Sequence, residues 1–304
     1  MSDRLSDKHA YLIMIHESTL VLKRLLMLLD NDNNDIYIHV DKRAKKVDLH
    51  EIKSWVKISK VIFTKRYCVN WGTNSITKAE MAMLKEAAPY NYRYYHLLSG
   101  ADLPLKSQDE IHDFFDKNDG KEFIHFGTEA YQRDTVSRYN VYHFFTKQLG
   151  RKRDKKFWCD AETYSLAIQR RLHVDRMKKC KKTFYAGANW VSITNNFAQF
   201  VVKEYKHYRK YFRFVQISDE LIWQTLIMNS PYKDNLYLPG FKNDYSACMR
   251  YIDWNRGNPY VFRVEDYDLL MKSDCMFARK FDEKVDKDII EKIYLTLKDE
   301  SHEI

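Results

Sequence analysis

Apolar and polar positions change rhythm at regular intervals through residues 9–126. The run HAYLIMIH is almost continuously apolar, as a strand covered on both faces must be. STLVLKRLLMLLD, which follows it, repeats apolar residues every three to four positions, as one face of a helix does. The alternation continues through DIYIHVD, DLHEIKSWV, KVIFT, NSITKAEMAMLKEAA and YYHLLS. Ser107 and Glu110 have the spacing of a capping box ahead of the helix IHDFFDKN, and EFIHF closes the series. Short strands separated by helices of this length predict βαβ units and a mostly parallel sheet, so the expected fold class is α/β, doubly wound.

Beyond residue 126 the rhythm is less even. Residues 127–182 read as a basic helical segment, after which FYAGANWVSIT is strand-like but broken by Gly187, and NFAQFVVKEYKHY is helical. In QISDELIWQTL the pairs Ile222/Leu226 and Trp223/Ile227 lie four residues apart, the helical spacing. Ser218 is expected to cap this helix, which sets Asp219 and Glu220 in its first turn. Repeats, low-complexity tracts and Pro- or Ser-rich linkers are all missing, so one domain over residues 1–304 is expected.

Composition narrows the class. With 45% hydrophobic and 31% charged residues, the 304-residue chain can bury a full core. Its five cysteines are scattered and form no C-x-x-C pair, which favours reduced thiols over a zinc site or a disulfide frame. The apolar runs are too short to span a bilayer and the N-terminus does not read as a signal peptide, so a cytoplasmic location is expected. A G-x-G-x-x-G turn and a Walker-type loop are both missing, which sets aside dinucleotide enzymes and P-loop ATPases.

Charge is unevenly placed. Residues 146–182 hold thirteen Lys or Arg against four Asp or Glu, a local excess equal to the whole net charge of +9. Such a segment suits an anionic glycan, an anionic lipid headgroup or nucleic acid. No known nucleic-acid-binding motif accompanies it, so nucleic acid is not expected as a partner.

Open α/β sheets bind ligands beyond the carboxyl ends of their strands. His16, Asp41 and the SGADLP stretch containing Asp102 are predicted to lie there. Glu220 stands at a helix start, where the dipole favours a carboxylate. Cationic candidates are the adjacent Arg279 and Lys280 of MFARKFD and Arg256 of WNRGN. Trp71, Trp190 and Trp254 could stack on sugar rings or pack the core. Two Asp-x-Asp strings, Asp30/Asp32 and Asp266/Asp268, offer an alternative, metal-dependent chemistry, although a polar turn and a helix start account for them equally well.

The stretches YIHVDKR, VNWGTNSITKAEMAML, YYHLLSGADLPLKS, GANWVSIT, SDELIWQTL and FARKFD, in this order, resemble the signatures of the core-2/I-branching β-1,6-N-acetylglucosaminyltransferase and xylosyltransferase family, glycosyltransferase family 14, in a bacterial type of member. The resemblance covers residues 9–286. It implies a GT-A-type fold with a Rossmann-like central sheet, an inverting reaction, a UDP-sugar donor and catalysis without a metal or other cofactor. By the same resemblance residues 9–126 form the nucleotide-binding half and residues 183–304 the acceptor and catalytic half. Glu220 falls on the family's base and Lys280 on its diphosphate-binding lysine. The partnering arginine falls nearest to Arg256, with Arg250 and Arg279 as alternatives. By family position Asp41 faces the uracil or ribose, and His16, by its strand-end position, is a further nucleotide-binding candidate; Asp102, Trp190, Asp219 and Trp254 are the candidates for acceptor or sugar. Because the secretory, membrane-anchored and disulfide-bonded traits of animal members are not seen in the chain, the family's acceptor does not carry over; the expected acceptor is a glycan, free or lipid-linked, and the basic segment is a candidate for peripheral contact with an anionic membrane.

Overall fold

The computed structural model describes residues 5–300. Among these residues nine strands are formed: β1 (Ser6–Ile15), β2 (Asn34–Val40), β3 (Lys60–Phe63), β4 (Tyr92–Ser99), β5 (Asp102–Pro104), β6 (Phe123–Ile124), β7 (Val191–Thr194), β8 (Arg250–Ile252) and β9 (Phe277–Arg279). The α-helices are α1 (Leu20–Leu29), α2 (Leu49–Ser54), α3 (Ser75–Ala87), α4 (Gln108–Lys117), α5 (Glu129–Thr135), α6 (Thr146–Leu149), α7 (Lys156–Arg171), α8 (Asn195–Tyr208), α9 (Asp219–Met228), α10 (Tyr267–Met271) and α11 (Asp288–Glu300).

Six strands make the central sheet in the order β3-β2-β1-β4-β7-β6. β3, β2, β1 and β4 are parallel, as the βαβ pattern predicts, whereas β7 runs antiparallel to both β4 and β6. β1 and β2 are buried along nearly their whole length, which accounts for their unbroken apolar sequence. On one face the sheet packs against α1, α4, α10 and α11, burying Leu25, Leu26, Phe115, Leu270 and Ile293. On the other face lie α3, α8 and α9, with Met83, Leu84, Val201, Trp223 and Leu226 in contact.

Local signals act largely as expected. The Ser107/Glu110 capping box opens α4, and Thr19 and Thr194 cap α1 and α8. Ser218 departs from expectation. It has helical φ and ψ and makes no cap hydrogen bond; its hydroxyl instead pairs with Thr77 on α3 at 2.8 Å. The start of α9 is therefore tied sideways to α3. A second departure is the stretch after β4. Asp102 begins strand β5 of a small sheet ordered β5-β9-β8, which sits against the first core cluster.

Candidate active site

The reversed strand β7 gives the site its composition. Because it opposes β4, the residues entering it, Gly187 to Trp190, lie at the edge where β1, β2 and β4 end. β6 is antiparallel to β7, so His125 leaves it at the same edge. Gly187 has no room for a side chain: a Cβ would come within 2.0 Å of the His125 carbonyl oxygen. Its N–H donates to the Glu220 carbonyl at 2.9 Å and so pins the first turn of α9 to this edge.

A cavity of about 560 Å³ opens beyond β1 and β2, with His16, Asp41, Arg43, Trp71, Lys147 and Arg151 among its lining residues. Asp41 accepts from the Arg43 N–H at 2.8 Å, from Arg43 Nη2 at 3.0 Å and from the Val69 N–H at 3.2 Å. Burial works to raise its pKa, but the Arg43 hydrogen bonds and charge outweigh that and hold the carboxyl below its usual range. The His16 side chain is 80% exposed at the mouth, and Trp71 is partly exposed there. Lys147 and Arg151 come from the basic segment; nothing in their local sequence links them to the strand ends.

Glu220 is half-buried at the start of α9. Its Oε2 accepts from Arg138 Nη1 at 2.7 Å and from the Tyr131 hydroxyl at 2.9 Å. The Arg138 guanidinium also lies over the Tyr131 ring, 5.3 Å from its centroid. Oε1 has no partner among the described residues. One carboxylate oxygen is thus fixed and the other is open. Tyr131 and Arg138 belong to α5 and the turn after it, within a segment that reads as solvated helix, so sequence reasoning overlooks them. Tyr245 lies close enough to feel the Glu220 charge, stacks on His125 at 4.1 Å and leads to the half-exposed Trp254 ring at 6.3 Å.

Asp219, expected against the acceptor sugar, is instead buried beside Glu80 of α3. Burial, followed by the neighbouring Glu220 charge, pushes the Asp219 carboxyl up to about 7. Glu80 is fully buried and also raised, first by burial and then by Asp219. Two buried carboxyls thus lie next to each other beside Glu220.

The cationic candidates differ in what holds them. Arg279 stands opposite Asp102 in the β5–β9 ladder and donates to it at 2.8 Å and to the Ser99 hydroxyl at 3.0 Å. Its guanidinium lies 4.2 Å above the Trp190 ring centroid. Asp102 is buried and its pKa is raised by that burial, with Arg279 acting in the opposite direction. Arg256 is clamped by Asp253 at 2.5 Å and Asp266 at 2.7 Å and packs on Tyr260. Arg250 is buried and donates to Cys248 O, Leu97 O, Val191 O and the Ser192 hydroxyl, so it serves the interior. Lys280, half-buried after β9, is the only one of these four whose charge has no partner among the described residues.

Neither Asp-x-Asp string stands at the ligand edge as a pair. Asp30 ends α1 at the opposite edge of the sheet, where its carboxylate accepts from the N–H groups of Lys57, Ile58 and Ser59 at 2.6–2.9 Å. Asp266 is engaged by Arg256 and by the Arg263 N–H.

Against known proteins, a family model described as "Core-2/I-Branching enzyme" matches residues 9–270. The chain is similar to xylosyltransferase 2 of Rattus norvegicus, 24% identical over an alignment of 302 positions that covers 93% of this chain and 33% of the relative. It is also similar to xylosyltransferase oxt of Drosophila melanogaster, 23% identical over an alignment of 288 positions that covers 88% of this chain and 31% of the relative. The chain thus spans about a third of the length of these curated relatives.

Proposed function

The chain belongs to the Core-2/I-Branching enzyme family, a family of glycosyltransferases, and from that premise we propose that it moves N-acetylglucosamine from UDP-N-acetylglucosamine to a glycan hydroxyl with inversion at the anomeric carbon. The observation that carries this reading is the state of Glu220, with Oε2 held by Arg138 and Tyr131 and Oε1 open. A general base needs one oxygen fixed for orientation and one free for the proton.

In this reading the acceptor hydroxyl donates its proton to Glu220 Oε1 as its oxygen bonds to the anomeric carbon. The bond from that carbon to the β-phosphate oxygen breaks on the opposite face, and UDP departs with the electron pair. The nucleoside occupies the cavity at His16 and Asp41, with Trp71 available for stacking. Lys280 and Arg279 balance the charge gathering on the diphosphate, each worth about 3 kcal/mol of barrier if it acts as a preorganised donor does elsewhere. Fixed cations in this role leave no need for a divalent metal, and the engagement of Asp30 by three backbone N–H groups supports that reading.

The setting proposed is polysaccharide or capsule assembly in the cytoplasm, with a lipid-linked acceptor at the inner face of the membrane. A second reading, UDP-xylose as donor, is favoured by the relatives' names. Thermal shift with a panel of UDP-sugars, with and without chelator, followed by mass spectrometry of products, tests both. The correct donor raises the melting temperature by mass action. A donor response lost in chelator overturns the metal-free mechanism, and no response to any UDP-sugar overturns the reading as a whole.

A further inference from the structure

Helix α7 carries an exposed apolar stripe beside buried polar contacts. The side it turns inward carries Glu162 and Gln169, both buried. Glu162 pairs with the buried His143 at 2.7 Å, and Gln169 bonds the Tyr142 backbone through both ends of its amide. The side it turns outward carries Phe157, Tyr164, Ile168 and Leu172, with 72%, 71%, 43% and 68% of their surfaces exposed. With Ala161 these residues recur every three to four positions, so they form one stripe. Scattered single exposed apolar residues need no explanation, but a run of them at helical spacing on one side of a helix does.

The surroundings of the stripe identify its partner. Lys155 and Lys156 stand exposed at one end, Arg170 and Arg171 at the other, and Asp160 is the lone exposed acid on the helix. An apolar stripe bordered by Lys and Arg is the makeup of a helix that lies in a membrane interface, aromatic and aliphatic side chains in the acyl boundary and cations among anionic headgroups. A second copy of the chain fits poorly, because pairing two such helices brings together two segments that each hold an excess of nine positive charges. Among the described residues no helix is long and apolar enough to cross a membrane.

We propose that the outward face of α7, Phe157, Tyr164, Ile168 and Leu172 with their flanking Lys and Arg, is a docking surface for an anionic lipid bilayer. The surface gives the membrane-held acceptor of the proposed function a physical site and rests on that reading for its biological purpose, though not for its chemistry.

The test is flotation of the full chain, without donor, on vesicles of phosphatidylcholine alone and of equal parts phosphatidylcholine and phosphatidylglycerol. The wild type should float with the mixed vesicles and not with the neutral ones. A variant combining Phe157→Ser, Ile168→Ser and Leu172→Ser, and another combining Lys155→Gln, Lys156→Gln, Arg170→Gln and Arg171→Gln, should each bind at least about tenfold more weakly. Circular dichroism and an unchanged melting temperature show that both variants fold. Wild-type protein that does not float with mixed vesicles overturns the proposal, as does an apolar-stripe variant that floats undiminished. A dimer in light scattering that the apolar-stripe variant abolishes also overturns it, by assigning the stripe to a second copy. Because the measurement needs no donor, vesicle binding without any response to UDP-sugars sinks the transferase reading alone, and the reverse result sinks the docking surface alone.

Discussion

Arg138 holds Glu220 through a 2.7 Å ion pair that joins the turn after α5 to the first turn of α9, eighty-two residues apart in sequence. A carboxylate fixed at one oxygen has a defined direction for the other. If that other oxygen takes the acceptor proton, Glu220→Gln keeps the shape of the site and removes the base. Transfer should fall by about 10²–10⁴-fold, while the thermal shift given by UDP stays as in the wild type. Transfer at the wild-type rate dismisses Glu220 from the chemistry.

Arg138 is then a positioning residue. Arg138→Met removes the pair and frees the Glu220 side chain to turn. Initial-rate kinetics should show kcat lowered by roughly tenfold or more with little change in donor KM, the pattern of an interaction needed in the transition state. Tyr131→Phe, which removes only the second hydrogen bond, should cost less. A change confined to donor KM moves Arg138 to the nucleotide side and breaks this assignment.

The arginines divide by environment, and substitution should expose the division. Arg250→Ala strands the carbonyls of Cys248, Leu97 and Val191 inside the protein, which should lower stability by roughly 3 kcal/mol in urea unfolding. UDP affinity of the remaining folded protein should be unchanged. Lys280→Ala should do the opposite: its charge has no partner among the described residues, so stability stays within about 0.5 kcal/mol, while isothermal titration shows weaker UDP binding. If Lys280→Ala binds UDP as well as the wild type does, the diphosphate lies elsewhere.

Much of the fold is legible where period and capping agree. The sequence predicts a helix over residues 74–88 and the chain forms α3 at Ser75–Ala87, because an amphipathic stripe of that length has few alternatives. The parallel strands follow from their unbroken apolar runs. Short, long-range pairings are not legible: β5 has three residues, too few for a period, and its partner β9 lies far along the chain, so the Asp102–Arg279 pairing leaves no local trace. Ser218 misleads because a cap signal is local, whereas its hydroxyl is taken by Thr77 from another helix. Glu220 stands out in sequence, but Arg138 and Tyr131 do not, since an arginine and a tyrosine in a basic segment look the same whether they meet solvent or a carboxylate. Lys147 and Arg151 reach the cavity for the same unreadable reason.

The buried pair behind Glu220 makes stability depend on pH. Asp219 has an ordinary value of 3.8 and is pushed up to about 7 in the fold, chiefly by burial, and Glu80 is raised in the same sense. Between these values the folded state holds protons that the unfolded chain releases, so folding is favoured by acid. This contribution is complete below about pH 4 and is lost progressively as pH rises toward and through about 7. In Asp219→Asn the buried group no longer ionises. Its melting temperature should therefore fall less than that of the wild type between pH 5 and pH 8, roughly, with the two curves drawing apart toward the alkaline side. Glu80→Gln should flatten the profile in the same direction. The measurement is a thermal melt across that range at constant ionic strength, so that screening of surface charges does not add its own slope. A wild-type profile that rises with pH over this interval, or an Asp219→Asn profile parallel to it, would mean that both carboxyls are ionised in the fold.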